Sequence, residues 1–178
     1  MGWRDELTTL ATERGPALVG YAYLLCGDLP RANDLVQEAL ARAWARPGRA
    51  HGPQATEAYV RRAVLSVFLD ERRRATSWAR KRHLAVGPTT TPDPTTRTDD
   101  QLDVQEALTG LSPRERACVV LRFYDDLTVP ALAGRLGISE GAAKRYLSDG
   151  LGKLEAALGP VGAAHEQLTV RLTEGDRR

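Results

Sequence analysis

Apolar side chains recur along this chain at spacings of three and four residues, the period of helices with one buried face. The clearest segment runs from Leu127 to Leu158. Thr128 is placed to cap a short helix, because its hydroxyl can accept from a free first-turn N–H. Leu132 and Leu136 lie one turn apart on one face, and Ala133 is small enough for a second helix to approach. Gly137 stands where the chain must turn, Ile138 can plug the corner, and Ser139 caps a second helix through Leu147, Leu151 and Leu154. Two capped helices around A-x-x-x-G-I-S predict a helix-turn-helix, a motif suited to duplex DNA.

The rest of the chain reads as helix too. Leu7 and Leu10 mark one short helix, and Leu18, Tyr21, Ala22 and Leu25 a second that begins near Pro16 and ends at Gly27-Asp28. From about Pro30 to Arg46, Leu35, Val36, Ala39, Leu40, Ala43 and Trp44 form an apolar stripe, with Asp34, Gln37, Glu38 and Arg42 off it. A long helix is predicted from near Gln54 to about Arg82, with Tyr59, Ala63, Val67 and Phe68 inward and Leu65 and Leu69 extending the band. The periodicity then stops. Residues 83–100 hold three prolines and six threonines and read as a flexible linker. Leu102, Val104 and Leu108 open the second half. Ser112, Pro113 and Glu115 then make an N-cap, a first-turn proline and a capping box for a helix that continues to Leu127, with Val119, Val120, Phe123 and Tyr124 as its apolar surface. The predicted architecture is all-α, with two small helical domains (1–82 and 101–160), the linker 83–100 and a tail 161–178. The second domain contains the helix-turn-helix.

Net charge of +2 changes this picture little, but its distribution matters. Eight basic residues and two acids fall between Arg61 and Arg82, a local excess of 8 − 2 = +6 interleaved with Phe68 and Trp78, with Tyr59 just before it. The run reads equally as a solvated face or as a surface for a polyanion. Cys26 and Cys118 sit in apolar runs, as buried free thiols of a reducing compartment would. The three histidines are isolated, so no metal site and no cofactor is expected. No apolar run approaches a membrane span and no signal-peptide core precedes the first helix, which points to the cytoplasm. No nucleophile elbow, phosphate loop or metalloprotease motif is present, so an enzyme is not expected. From the residues alone the chain reads as a helical DNA-binding protein without an enzyme site, and a LuxR-like helix-turn-helix regulator acting without a polymerase is one such reading.

Three segments together carry a resemblance. GD-x-x-x-A-x-DLVQEALARAW (Gly27 to Trp44), EAYVRRAVLSVFLDERRR (Glu57 to Arg74) and LSPRERACVVLRFYDDLTVPALAGRLGISEGAAKRYL (Leu111 to Leu147) resemble the extracytoplasmic-function sigma factors, small bacterial RNA polymerase subunits, of an actinobacterial kind. The resemblance implies promoter recognition, promoter melting and transcription initiation. Asp34, Gln37, Glu38 and Trp44 would meet the β′ clamp of core polymerase. Tyr59, Arg61, Arg62, Ser66, Arg72, Arg73 and Arg74 would open and hold the −10 element. The Leu111 to Tyr124 helix would lie near the β flap. Ser139, Glu140, Lys144, Arg145 and Ser148 would read the −35 element. An anti-sigma protein is a further candidate partner. Three departures stand out. Ser66 replaces an asparagine common in relatives, Gly141 to Leu147 reads GAAKRYL where relatives often have GTVKSRL, and Asp149 replaces a frequent arginine. An acid at 149 repels phosphate.

Overall fold

The computed structural model describes residues 2–46, 52–82 and 99–158, with side chains at 2–46, 52–75 and 104–158. The described residues form seven α-helices and no strand. They are α1 (Trp3–Cys26), α2 (Leu29–Ala45), α3 (Pro53–Arg82), α4 (Asp99–Thr109), α5 (Pro113–Phe123), α6 (Val129–Leu136) and α7 (Glu140–Leu158). The chain divides into two compact units, α1–α3 and α4–α7, between Thr95 and Thr96. Asp99 and Asp100, expected in the linker, already belong to α4, whereas 83–98 and the tail from 159 lie outside the described residues.

In the first unit each of the three helices packs on the other two. Its core is Leu7, Leu10, Leu18, Tyr21 and Leu25 of α1, Ala32, Leu35, Val36, Ala39 and Ala43 of α2, and Val60, Val64, Val67 and Phe68 of α3, all buried. The two short helices expected over residues 5–26 are one 24-residue helix with Pro16 inside it. An interior proline forfeits one backbone hydrogen bond. Here both flanking segments bury leucines against α2 and α3, and that packing holds them as one helix. Gly27 then takes the left-handed conformation (φ 75°) that ends α1, and Asp28 caps α2 by accepting from Arg31 N at 2.8 Å.

Inward assignments shift on two helices. Trp44 points outward, 45% exposed, because the buried arc of α2 is already filled by Leu35, Val36, Ala39 and Ala43. Leu40 is only half-buried. On α3 Val60, Val64, Val67 and Phe68 face inward at i, i+4, i+7 and i+8, and Leu65 and Leu69 extend the buried band as expected, which leaves Tyr59 and Ala63 on the shoulder, half-buried. The N-terminus of α3 is secured from α1: Glu6 Oε2 accepts from the buried Thr56 Oγ1 at 2.6 Å and from Gly52 N at 3.3 Å.

The second unit follows its capping signals closely. Ser112 N donates to Glu115 Oε2 at 2.8 Å and Glu115 N donates back to Ser112 Oγ at 3.4 Å, with Pro113 at the first helical position. Ala117, Cys118 and Leu121 form the fully buried side of α5. The helix ends at Phe123 rather than running to Leu127. Two acids, Asp125 and Asp126, oppose the negative end of the helix dipole, and Asp126 takes a left-handed turn (φ 49°). Arg116, buried, donates to the Thr109 and Leu111 carbonyls at 2.7 and 3.3 Å and so ties the end of α4 to α5. Thr128 caps α6 (Ala131 N to Oγ1, 3.4 Å), Gly137 turns the chain at φ 63°, and Ser139 caps α7 (Ala142 N to Oγ, 3.2 Å). Leu132, Ala133 and Leu136 are buried as the pattern requires, and Ile138 is half-buried at the corner.

Candidate nucleic-acid and protein interface

Three outward faces carry the residues singled out from the sequence, and each exists because the opposite face of its helix fills a core. On α2, Asp34, Gln37, Glu38 and Trp44 are all exposed. With the buried set at Ala32, Leu35, Val36, Ala39 and Ala43, helical geometry gathers them on the solvent side. Glu38 is engaged within the molecule: Arg42 Nη2 lies 2.5 Å from its Oε1 and Arg42 Nη1 lies 3.6 Å from Asp70 Oδ2 of α3. The sequence placed Arg42 off the apolar stripe but not in a pair, although the Glu38–Arg42 spacing of four is a recognisable helical ion pair. Trp44 carries the Arg4 guanidinium 5.3 Å above its ring, a partner from α1 that no local pattern reveals.

On α3 the basic residues separate into two kinds. Arg61 is fixed against the body, ion-paired with Glu57 and lying 5.8 Å over the buried Tyr21 ring. Glu57 also meets Arg14 at 3.4 Å. Arg72 lies 5.7 Å over Phe68, and burial, then the nearby positive Arg31, holds its guanidinium below the usual arginine value. Arg62, Ser66, Arg73 and Arg74 are exposed, Arg73 leaning on Asp70 at 3.6 Å. The adjacent arginines 72 to 74 thus point in different directions, as a turn of 3.6 residues demands. Tyr59 uses its hydroxyl on the Arg46 carbonyl at 3.1 Å and its ring edge-on to Trp3 at 5.2 Å. Trp78, Arg80, Lys81 and Arg82 lie on the last turns of α3, where side chains fall outside the described residues.

On α7, Ser139, Glu140, Lys144, Arg145 and Ser148 are all exposed. Ala143, Leu147, Gly150 and Leu154 make the buried side. The anchor is Gly150: a Cβ there would stand 3.1 Å from Val119 Cγ2 and 3.3 Å from Leu111 Cδ2. Beside it Lys153 Nζ donates to both carboxylate oxygens of Glu115, at 2.9 and 2.8 Å. Burial opposes the charge on Glu115, but the hydrogen bonds from Lys153 and Ser112 outweigh it and hold the carboxyl below its usual value. Neither Gly150 nor the Lys153–Glu115 pair was singled out from the sequence, since a close approach between helices far apart in sequence has no local signature.

Both cysteines are free and buried, and burial raises the Cys118 thiol to about 11. Among the described residues no group of three potential ligands could hold a metal ion. No described helix is long and apolar enough to cross a membrane.

Residues 10–78 match the family model for sigma-70 region 2, and residues 101–154 match that for sigma-70 region 4. The chain is 32% identical to the ECF RNA polymerase sigma factor SigL of Mycobacterium tuberculosis over 167 residues, 88% of this chain and 90% of the relative. It is 30% identical to the RNA polymerase sigma-E factor of Streptomyces coelicolor over 164 residues, 89% of each chain. In fold it is similar to the sigma factor RpoE of Bartonella quintana, solved in complex with the anti-sigma factor NepR, with a TM-score of 0.62 and 22% identity over 80% of this chain and 90% of that one. The region 2 match removes the reading as a one-domain LuxR-like regulator, which has no counterpart for α1–α3. With both regions present in order and relatives aligned along nearly the whole chain, the protein belongs to the extracytoplasmic-function sigma factors, the RNA polymerase subunits that direct promoter recognition and transcription initiation.

Proposed function

We propose that the three outward faces divide the work of a sigma factor. The α2 face, with Asp34, Gln37, Glu38 and Trp44, docks on the β′ clamp of core polymerase. The α3 face holds the opened −10 element: Arg62, Arg73 and Arg74 neutralise phosphates, and Ser66 lies among them where an unpaired base would be held. Arg61, Arg72 and Tyr59 belong to this surface at its inner edge, where they also brace the helix. The α7 face, opened by Ser139 and Glu140 and carrying Lys144, Arg145 and Ser148, enters the major groove of the −35 element, with α5 toward the β flap. Residues 1–82 and 99–160 act as the two domains, joined by 83–98 and followed by the tail. The chain has no chemistry of its own and works in the cytoplasm, where polymerase and DNA are. An anti-sigma protein, such as the one bound by the Bartonella factor, is a fitting regulator.

The observation that carries this reading is the exposure of every residue in the α2 and α7 sets while the opposite side of each helix is buried. Gln37 and Glu38 lie off the core, and the double variant Gln37→Ala, Glu38→Ala is expected to change stability by at most ~0.5 kcal/mol. Its binding to core polymerase is expected to fall at least about tenfold, measured by titration of the folded full-length variant. Unchanged core binding would remove the α2 assignment.

A further inference from the structure

The outward face of α7 is unusually low. Gly141, Arg145, Ser148 and Gly152 succeed one another at i, i+4, i+7 and i+11, directly opposite the buried Ala143, Leu147, Gly150 and Leu154. A methyl group at Gly141 or Gly152 would meet no atom within 4 Å, so packing inside the chain does not require either glycine. Glycine weakens a helix interior relative to alanine. Two glycines and a serine leave the backbone free to approach another surface closely. Above this floor stand Arg145, leaning over the Tyr146 ring at 5.7 Å, and Asp149, exposed one turn further along, with Lys144 at the rim. Arg145 and Asp149 form no ion pair with each other or with another described residue, although their spacing of four would allow one. A guanidinium fork and a carboxylate are therefore presented side by side on the side of the helix turned from the core.

From this we infer that Asp149 is a specificity-determining residue, reading a cytosine next to a guanine read by Arg145. The inference rests on the assignment of α7 to the −35 duplex. In the major groove guanine offers two acceptors, which suit the arginine fork, and cytosine offers an amino donor, which suits a carboxylate. Guanine O6 and thymine O4 would repel the same carboxylate, and adenine presents its amino group beside the acceptor N7. Four residues of helix advance about 6 Å, against roughly 3.4 Å per base step, so the two contacts fall within about two base pairs. The cost is weaker attraction to the phosphates; the return is rejection of wrong bases through an unpaired, desolvated charge.

The test uses holoenzyme assembled from the full chain and core polymerase, bound to promoter duplexes randomised across the −35 element, with the recovered sequences counted. Wild type is expected to enrich cytosine about tenfold at one position within two base pairs of an enriched guanine. Asp149→Asn is expected to move that position to adenine, because an amide pairs with adenine N6 and N7, and Asp149→Ala to flatten it, both keeping the guanine. Arg145→Ala should flatten the guanine alone. An unchanged base preference in Asp149→Asn, or a uniform gain across all sequences in Asp149→Ala, would overturn the role of Asp149 while leaving α7 as the −35 reader. A wild-type holoenzyme that initiates transcription yet selects no sequence in this element would overturn both.

Discussion

The arginines of α3 and the polar residues of α7 serve the same polymer in the proposed function, yet the protein holds them in opposite ways. On α3, Arg61 lies on Tyr21 and Glu57, Arg72 on Phe68, and Arg73 beside Asp70. On α7 the polar side chains project from a helix whose anchoring is confined to its inner side, at Gly150 and at the Lys153–Glu115 pair. At Arg61 and Arg72 the first arrangement presents charge from side chains that are already ordered, so little of their rotamer freedom remains to be lost when a strand binds, beside the exposed Arg62, Arg73 and Arg74. The second fixes the helix from its inner side and leaves Lys144, Ser148 and Asp149 exposed, with Arg145 resting on the neighbouring Tyr146 ring. A surface that must grip phosphates of any sequence gains from the first. A surface that must match one set of base edges gains from the second.

The contrast can be broken most severely at the anchor of α7. Glu115→Ala removes a cap and leaves Lys153 and the Ser112 N–H without their acceptor, an expected loss of about 2 kcal/mol in urea unfolding at pH 7. The pH dependence has a definite sign. The folded-state carboxyl lies below its unfolded value of roughly 4.3, so its contribution is complete above that pH and is lost as pH falls through the folded value. The gap between wild type and variant is expected to narrow below about pH 4, and a constant gap down to pH 2 would mean that the ionised carboxylate stabilises nothing.

A smaller effect separates the two classes of arginine directly. Arg61→Ala is expected to cost about 1 kcal/mol of stability through its lost contact with Tyr21, whereas Arg145→Ala should stay within ~0.5 kcal/mol. Equal costs in thermal unfolding would erase the distinction. The smallest effect is Arg73→Ala. Its side chain is 69% exposed, so stability should hold, while the salt dependence of promoter binding should lose about one unit of slope for one phosphate contact.

How much of this was legible in the sequence depended on how local the cause was. Ser112 with Glu115, Thr128, Gly137 and Ser139 act within a few residues, and each cap and turn stands where its chemistry placed it. Pro16 misled because its local preference for a break is overruled by leucines packing against other helices. Trp44 misled because an apolar residue at the edge of a stripe has the same periodicity whether it turns in or out. Only the filled arc of α2 decides between them. The outward residues of α2 and α7 were readable as the complement of the buried stripe. The pinning of Arg61 on Tyr21, the Arg42 bridge to Asp70 and the Lys153–Glu115 pair join residues 28 to 40 positions apart, and no window along the chain contains them.

Gly150 has a consequence for how such a chain can change over generations. With Val119 Cγ2 only 3.1 Å from where a Cβ would stand, and Leu111 Cδ2 at 3.3 Å, a side chain at 150 obliges Val119 and Leu111 to shift by a few tenths of an ångström, or to lose volume. A larger residue at 150 is therefore coupled to what stands at 119 and 111. Arg145 and Asp149, facing outward, carry no such obligation to the core. In the proposed function, a lineage can therefore replace what α7 reads one residue at a time while the joint that holds α7 stays fixed, so that new promoter preferences arise without passing through an unfolded intermediate.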